Sequence, residues 1–139
     1  MLTHLSRSDL ARHVETWIEA WNRHDVDAVI APFSEHAVFV SPRAASVTGD
    51  AVVRGRRALR TYWTKALAAV PDLRFRLESV VCDEIAQTVL VHYVSRAGGR
   101  TVRAAELMRF DGGHQVYGEA FYGAEVADAA SAGSRAANA

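Results

Sequence analysis

The stretch TVRAAELMRF, residues 101–110, has the two-residue period of a β-strand that turns one face to a core. The polar residue on that face is Glu106. Its neighbours on the same face are all apolar: Val102, Ala104, Met108 and Phe110. A charged carboxylate without a partner costs several kcal/mol or more in a low-dielectric interior. Glu106 must therefore be paired, kept protonated or used chemically, and it is the first candidate for a functional residue.

The length and charge of the chain limit the class of protein. With 139 residues, 50% of them hydrophobic, it has the size of one domain with a sizeable core. The 16 basic and 16 acidic residues cancel, which argues against electrostatic binding of nucleic acid or a membrane surface. No apolar run approaches the roughly 20 residues that span a membrane, and the N-terminus lacks a signal-peptide core. Since Cys82 is the one cysteine, no disulfide is expected, and a cytoplasmic small-molecule protein is predicted.

Three helices are predicted in the first half of the chain. Ser8 is the expected N-cap of the first helix, and a short second helix is expected to start at Asp25 or Asp27. The third is predicted from Arg56 to Val70. Residues 42–55 lack a clean period and are expected to form a loop at the edge of a pocket, with a brief strand around 52–53. The apolar face of the first helix consists of Leu10, Val14, Trp17, Ile18 and Trp21.

Strand periodicity dominates the second half. The predicted strands cover residues 37–41, 73–79, 88–96, 101–110 and 115–122. Helices followed by antiparallel strands predict an α+β fold in which the helices cover one face of a curved sheet. One domain is expected over residues 1–123, and residues 124–139, which are rich in Ala, Ser and Gly, are expected to form a flexible tail.

Four motifs occur in order along the chain. They are W-x-x-A-W-N-x-H-D-x-D-A at 17–28, F-x-x-x-A-x-F-x-S-P at 33–42, R-G-x-x-A-L-R-x-Y-W at 54–63 and E-L-M-R-F-D at 106–111. Together they resemble the nuclear-transport-factor-2-like superfamily, specifically its SnoaL-like and ketosteroid-isomerase-like branch, over about residues 8–123. The resemblance implies a cone-shaped, cystatin-like fold: a curved antiparallel or mixed sheet wrapped around the N-terminal helices, with a deep pocket between them.

The resemblance also implies roles for particular residues, although function varies widely within this superfamily. Glu106 falls on the position of the acid that donates a hydrogen bond to the oxyanion in ketosteroid isomerases. Ser41 replaces the base of those enzymes and Trp17 replaces their tyrosine, so the steroid-isomerase mechanism is not expected. The Asp-Arg-Asp set of limonene-type epoxide hydrolases is not evident. The implied ligand-binding residues are Trp17, Phe39, Ser41, Trp63, Ala104, Met108, Gly118 and Tyr122.

His92 is the second candidate for catalysis, and its role depends on which way its strand faces. If Thr88, Leu90, His92 and Val94 point inward, His92 can form a proton-transfer couple with Glu106; if they point outward, it lies at a subunit interface. No pair of His or carboxylate residues has convincing metal-ligand spacing. Neither a metal nor a cofactor is therefore predicted.

Two functions of different class remain open. The first is a pocket for a small apolar or ring-containing ligand, with cofactor-free isomerisation, cyclisation or dehydration that uses Glu106 as acid or base and His92 or Tyr122 as assistant. The second is a non-catalytic binding or assembly module of the same fold. In either case a homodimer is predicted through the uncovered face of the sheet, which would otherwise expose a large apolar patch. The residues assigned to that face are Val89, Val91, Tyr93, Leu107, Tyr117 and Phe121.

Overall fold

The computed structural model describes residues 3–127, within which the chain forms four helices and one six-stranded sheet. The helices are α1 (Arg7–Asn22), α2 (Val26–Ile30), α3 (Pro42–Thr48) and α4 (Arg56–Ala69). The strands are β1 (Phe33–Val40), β2 (Val52–Arg54), β3 (Arg74–Asp83), β4 (Thr88–Ala97), β5 (Arg100–Asp111) and β6 (His114–Glu125). None of the helices described is long and apolar enough to cross a membrane.

The sheet has the strand order β2-β1-β6-β5-β4-β3. All neighbouring strands are antiparallel except β1 and β6, which are parallel, so the sheet is mixed. Helix α1 packs against β3 and β4, while α4 packs against β1 and β2. The apolar residues of these helices are buried together with the inner face of the sheet. The predicted α+β fold with helices on a curved sheet is confirmed.

Helix α1 begins earlier than the sequence predicted. Ser6, not Ser8, is the N-cap: its Oγ accepts a hydrogen bond from the backbone N–H of Asp9 at 3.1 Å. In return, Asp9 Oδ2 accepts from the backbone N–H of Ser6 at 2.9 Å. This reciprocal capping box needs an acidic residue three positions after the cap, which Ser6 has in Asp9 and Ser8 lacks.

Helix α3 occupies the first half of the predicted loop. Ser41 is its N-cap and accepts from the N–H of Arg43 at 3.1 Å, and Pro42 occupies the first helical position, where no N–H is needed. Gly49 ends the helix with a φ of +86°, a left-handed conformation that favours glycine. The loop prediction was wrong because a helix of 7 residues is too short to show an apolar period, whereas its two caps were present in the sequence. The brief strand expected after the loop is present as β2.

The strand register corrects the predicted outer face. Glu106 lies opposite Val91 on β4 and Ala120 on β6, and directly paired residues point to the same side of a sheet. Val89, Val91 and Tyr93 are therefore core residues, with 0%, 0% and 1% of their surfaces exposed. Their assignment to a subunit interface was wrong. The other three predicted interface residues, Leu107, Tyr117 and Phe121, belong to the outer face by the same alternation.

Several strands are longer than predicted. Strand β1 begins at Phe33, and β3 continues to Asp83 after an irregularity between Leu77 and Ser79 that interrupts its alternation. Strand β6 continues to Glu125, beyond the boundary predicted at 123, and Val126 N–H donates to the carbonyl of Thr101 at 2.7 Å. The rest of the predicted tail, 128–139, lies outside the described residues.

Candidate functional site

An internal cavity of about 70 Å³ lies between α1, α4 and the inner face of the sheet. Its walls come from most elements of the fold: Trp17, Trp21, Phe39, Ser41, Arg43, Tyr62, Trp63, Ala66, Val70, Leu73, Phe75, Tyr93, Glu106 and Tyr122. An apolar cavity of about 150 Å³ admits benzene. The cavity therefore accepts a ring only if a wall side chain moves.

Glu106 is the acidic residue of this cavity. Only 5% of its surface is exposed, and its side chain forms no hydrogen bond or salt bridge with another residue of 3–127. Burial raises the pKa of Glu106 to about 8, since the charged form loses its hydration without gaining a partner. The carboxyl group is accordingly neutral at neutral pH and can donate a hydrogen bond through its O–H.

Other hydrogen-bond donors border the same cavity. The indole N–H groups of Trp17 and Trp21 are buried, and neither has a partner within the described part of the chain. An unsatisfied buried donor costs about 1–3 kcal/mol. Burial, partly offset by the charge of Arg43 and by the Ser41 hydroxyl, raises the pKa of Tyr122 to about 12, and burial also raises the pKa of Tyr93. These phenols remain protonated, so the cavity combines apolar walls with several neutral donors.

Packed aromatic rings hold the walls of the cavity in place. The ring centroids of Trp21 and Trp63 are 5.5 Å apart, and those of Phe39 and Trp63 are 5.2 Å apart, both in edge-to-face orientation. Trp17 packs edge-to-face on Tyr93 at 5.2 Å. Trp17 and Trp21 are one helical turn apart on α1, so both reach the sheet from one face of the helix. The rings thus position α1 and α4 over Glu106.

Arg43 is the one basic residue among the described residues that line the cavity. It extends from the first turn of α3, and its guanidinium carbon lies 4.2 Å from the centroid of the Tyr122 ring, a cation–π contact. Its position depends on Ser41, which is 1% exposed and caps α3. The sequence did not point to Arg43, because α3 had been taken for a loop.

The structure brings most of the predicted site residues together. Six of them line the cavity: Trp17, Phe39, Ser41, Trp63, Glu106 and Tyr122. Ala104, Met108 and Gly118 lie on the same inner face without lining the cavity. A Cβ at Gly118 would lie 3.2 Å from Phe39 Cδ1 and 3.8 Å from Glu106 Oε2. The absence of a side chain at Gly118 therefore leaves room for the Phe39 ring and for the Gln115 amide, whose Nε2 would also lie 3.2 Å from that Cβ.

His92 lies on the opposite face of the sheet from Glu106. It is paired with Ala105 on β5 and with Ser79 on β3, one position out of phase with the Val91 and Glu106 pair. Because successive side chains of a strand alternate between faces, His92 cannot contact the cavity. The inward phase and the proposed couple with Glu106 are thus wrong, and the outward phase is the one observed.

Sequence reasoning missed a polar contact between His13 on α1 and Gln115 on β6. His13 Nε2 lies 3.1 Å from Gln115 Oε1, and Gln115 Nε2 donates to the carbonyl oxygen of Tyr117 at 3.2 Å. Burial lowers the pKa of His13 to about 4, so the neutral ring donates to the amide oxygen. The signal was available: His13 follows Leu10 by three residues and precedes Trp17 by four, which places it on the apolar face of α1.

No group of three His, Cys, Asp or Glu side chains within residues 3–127 is arranged to hold a metal ion. The polar groups at the cavity are instead neutral hydrogen-bonding groups and one guanidinium. Such a set offers hydrogen-bond donors to an oxygen atom.

Three similar solved structures place this geometry among known folds. A SnoaL-like protein of unknown function from Burkholderia thailandensis has 27% identity and a TM-score of 0.78, over 87% of this chain and 99% of that one. A protein of unknown function with a cystatin-like fold from Methylobium petroleophilum has 23% identity and a TM-score of 0.74, over 91% and 83%. SalBIII, an epoxide hydrolase/cyclase-like enzyme in pyran ring formation in the polyether salinomycin, has 18% identity and a TM-score of 0.70, over 85% and 93%.

Other similar structures have folds called NTF2-like and ketosteroid-isomerase-like. No curated protein matches the chain at a significant level. Residues 14–117, which include all four sequence motifs, match the model of the SnoaL-like domain. The chain therefore belongs to the SnoaL-like domain family.

Proposed function

We propose that this protein binds a small, mostly apolar ligand through an acceptor oxygen, such as a carbonyl, and that Glu106 exchanges a proton with it. The observation that carries the proposal is a buried acid that has no partner among residues 3–127, at a cavity that Trp17 and Trp21 also line. The indole N–H groups of both tryptophans are likewise unpaired within those residues. A ligand oxygen can satisfy these donors. The fold of SalBIII, an epoxide hydrolase/cyclase-like enzyme, supports small-molecule chemistry in this architecture.

The pKa of Glu106 suits either direction of proton transfer. With a pKa of about 8, the acid is predominantly protonated at pH 7 and can donate to an oxygen that gains negative charge as an enolate forms. On the order of a tenth of the molecules have an ionised Glu106 at that pH and can remove a proton next to a carbonyl. Isomerisation, cyclisation and dehydration all need such transfers, and none of these transfers needs a cofactor.

The test is exchange of α-protons for deuterium. Cyclohexanone, 2-cyclohexenone and 1-tetralone are incubated with the protein in D₂O, and proton NMR follows loss of the signal next to the carbonyl. Wild type is expected to accelerate exchange of at least one ketone. Glu106→Gln is expected to abolish the acceleration while keeping the fold, because the amide keeps the shape of the carboxyl but transfers no proton. His92→Gln is the matched control and should accelerate exchange of the ketone α-protons as wild type does.

The second candidate is a non-catalytic binding or assembly module, and the small cavity of about 70 Å³ favours it. In that case the aromatic rings fill the pocket, and Glu106 is a tolerated core residue. Ketones would then neither exchange protons nor shift the indole N–H resonances of Trp17 and Trp21. That combined result would replace the catalytic proposal with the assembly module.

We also infer a homodimer through the outer face of the sheet, because α1 and α4 pack over the inner face, which carries Glu106. Phe121, on β6, is 47% exposed, and it is paired with Ala105 on β5. Leu107 and Leu90 face each other on the neighbouring strands β5 and β4. A second copy placed on this face would remove a contiguous apolar strip from water.

A further inference from the structure

Arg43 belongs to the walls of two neighbouring spaces. It lines the internal cavity together with Glu106, and it also lines an open recess of about 290 Å³ with Pro42, Arg100 and others. Tyr122 lines both spaces as well, and its ring lies under the Arg43 guanidinium at 4.2 Å. The stacked pair therefore forms a partition between the cavity and the recess.

The charges around this partition are unbalanced. Arg43 forms no salt bridge with any residue of 3–127. The other arginine of the recess, Arg100, is already bound to Glu125, with 3.2 Å between Nε and Oε1. Inside the cavity the acid Glu106 is neutral at neutral pH. Arg43 is thus the cation of this site whose charge no described residue compensates.

We propose that the ligand of this pocket carries an anionic group, a carboxylate or a sulfonate, which binds Arg43 in the recess while its apolar body passes Tyr122 into the cavity. The inference rests on the ligand-binding function proposed above and names its substrate class. A guanidinium offers two parallel N–H donors that match the two oxygens of such a group.

The sizes of the two spaces agree with this class of ligand. The cavity of about 70 Å³ holds a ring only if a wall side chain moves, whereas the recess of about 290 Å³ continues the cavity on the far side of the partition. An anion that binds the guanidinium competes with its contact to the Tyr122 ring. Binding of the anionic end and opening of the partition are therefore coupled, and a neutral ligand lacks this means of entry.

The test compares two fluorescent probes with the same aromatic body. 1-Anilinonaphthalene-8-sulfonate carries the anion, and N-phenyl-1-naphthylamine lacks it. Wild type is expected to bind the sulfonate more tightly than the neutral probe. Arg43→Gln should weaken sulfonate binding by about ten- to a hundredfold, since charge-assisted hydrogen bonds are lost, and leave the neutral probe within about twofold. Arg43→Lys keeps the charge without the planar guanidinium, so its affinity for the sulfonate should lie between those of wild type and Arg43→Gln.

Arg57→Gln is the matched control, because Arg57 is an exposed arginine that borders neither the cavity nor the recess. It should bind both probes as wild type does. Circular dichroism checks that every variant is folded. The inference of an anionic ligand is wrong if wild type binds both probes equally, or if Arg43→Gln and Arg57→Gln weaken sulfonate binding alike. Either result would leave the proposed ligand-binding function intact. If neither probe binds wild type, the ligand-binding function itself fails, and this inference fails with it.

Discussion

Glu106 and His92 lie on opposite faces of the sheet, because β4 and β5 pair Glu106 with Val91 and His92 with Ala105. His92 is consequently not a partner of the acid, and burial is the cause that raises the pKa of Glu106. A proton that Glu106 accepts must come from the ligand or from water, and a proton that it donates must go to one of them. Its titration should therefore be visible in the stability of the fold.

Glu106 should make the protein less stable as the pH rises from about 4.5 to about 8. Its folded-state pKa of about 8 exceeds the ordinary value of 4.5, so the folded state holds a proton that the unfolded state has released between these values. This contribution is fully present below pH 4.5 and is lost as the pH rises through 8. Relative to Glu106→Gln, wild type should lose on the order of 4 kcal/mol of unfolding free energy between pH 5 and 9.

Urea denaturation at a series of pH values measures this difference, and Glu106→Leu provides a second comparison. Leucine removes the cost of burying a polar group, so this variant should be at least as stable as wild type at pH 9. Strong destabilisation by both substitutions would reveal a structural partner for the carboxylate and would defeat its role as a pocket acid.

His13 should have the opposite pH dependence. Its pKa is lowered from 6.5 to about 4, so its contribution is present above pH 6.5 and is lost as the pH falls toward 4, where the unfolded state binds more protons. The ring is only partly buried, so the loss should be on the order of 2 kcal/mol. His13→Gln can still donate to Gln115 and should lack this component of acid destabilisation. His114→Gln changes an exposed residue and should keep it; parallel curves for the two variants would contradict the prediction.

Ser41→Ala should destabilise the edge of the cavity. The substitution removes the acceptor for the N–H of Arg43 and should cost about 1 kcal/mol of unfolding free energy. Because α3 carries Arg43, the same variant should also weaken binding of an anionic probe. Ser46→Ala, an exposed change on the same helix, is the control in thermal melts and should have little effect. Equal melting temperatures for all three proteins would show that the cap does not stabilise α3.

The outer face should hold two copies together. Size exclusion with light scattering is expected to give twice the chain mass of 15.2 kDa at micromolar concentration. Phe121→Asp places a charge in the proposed interface and should yield monomers, since a buried unpaired charge costs several kcal/mol. Val47→Asp changes a residue that is 61% exposed on α3 and should leave the mass unchanged. A monomeric wild type would exclude the dimer.

Two truncations separate the end of β6 from the residues that follow it. Removal of 128–139 should leave the melting temperature within about two degrees of wild type, because Ala, Ser and Gly dominate that segment. Removal of 124–139 also deletes Glu125 and the hydrogen bond from Val126 to Thr101, and should lower the melting temperature by several degrees. A large drop with the shorter deletion would mean that residues 128–139 contribute to the folded state.

The sequence determined the features that depend on neighbours along the chain. Alternation within residues 101–110 predicted the face of Glu106, since one apolar face and one face with Arg103 and Arg109 leave only one orientation toward a core. The apolar stripe of α1 was predicted in the same way, because the helical period is local. Four ordered motifs predicted the family, and the SnoaL-like domain model confirms it.

Tertiary structure decided the features that local sequence patterns leave ambiguous. Strand β4 is apolar on both faces, so only its register with β5 could orient His92 outward. His13 meets Gln115 across 102 positions of sequence, and no local rule anticipates such a contact. The cavity volume depends on how rings from α1, α4 and the sheet interlock, and the position of Arg43 depends on a helix too short to show a period. These features arise from packing between distant segments, which residue order constrains only through the completed fold.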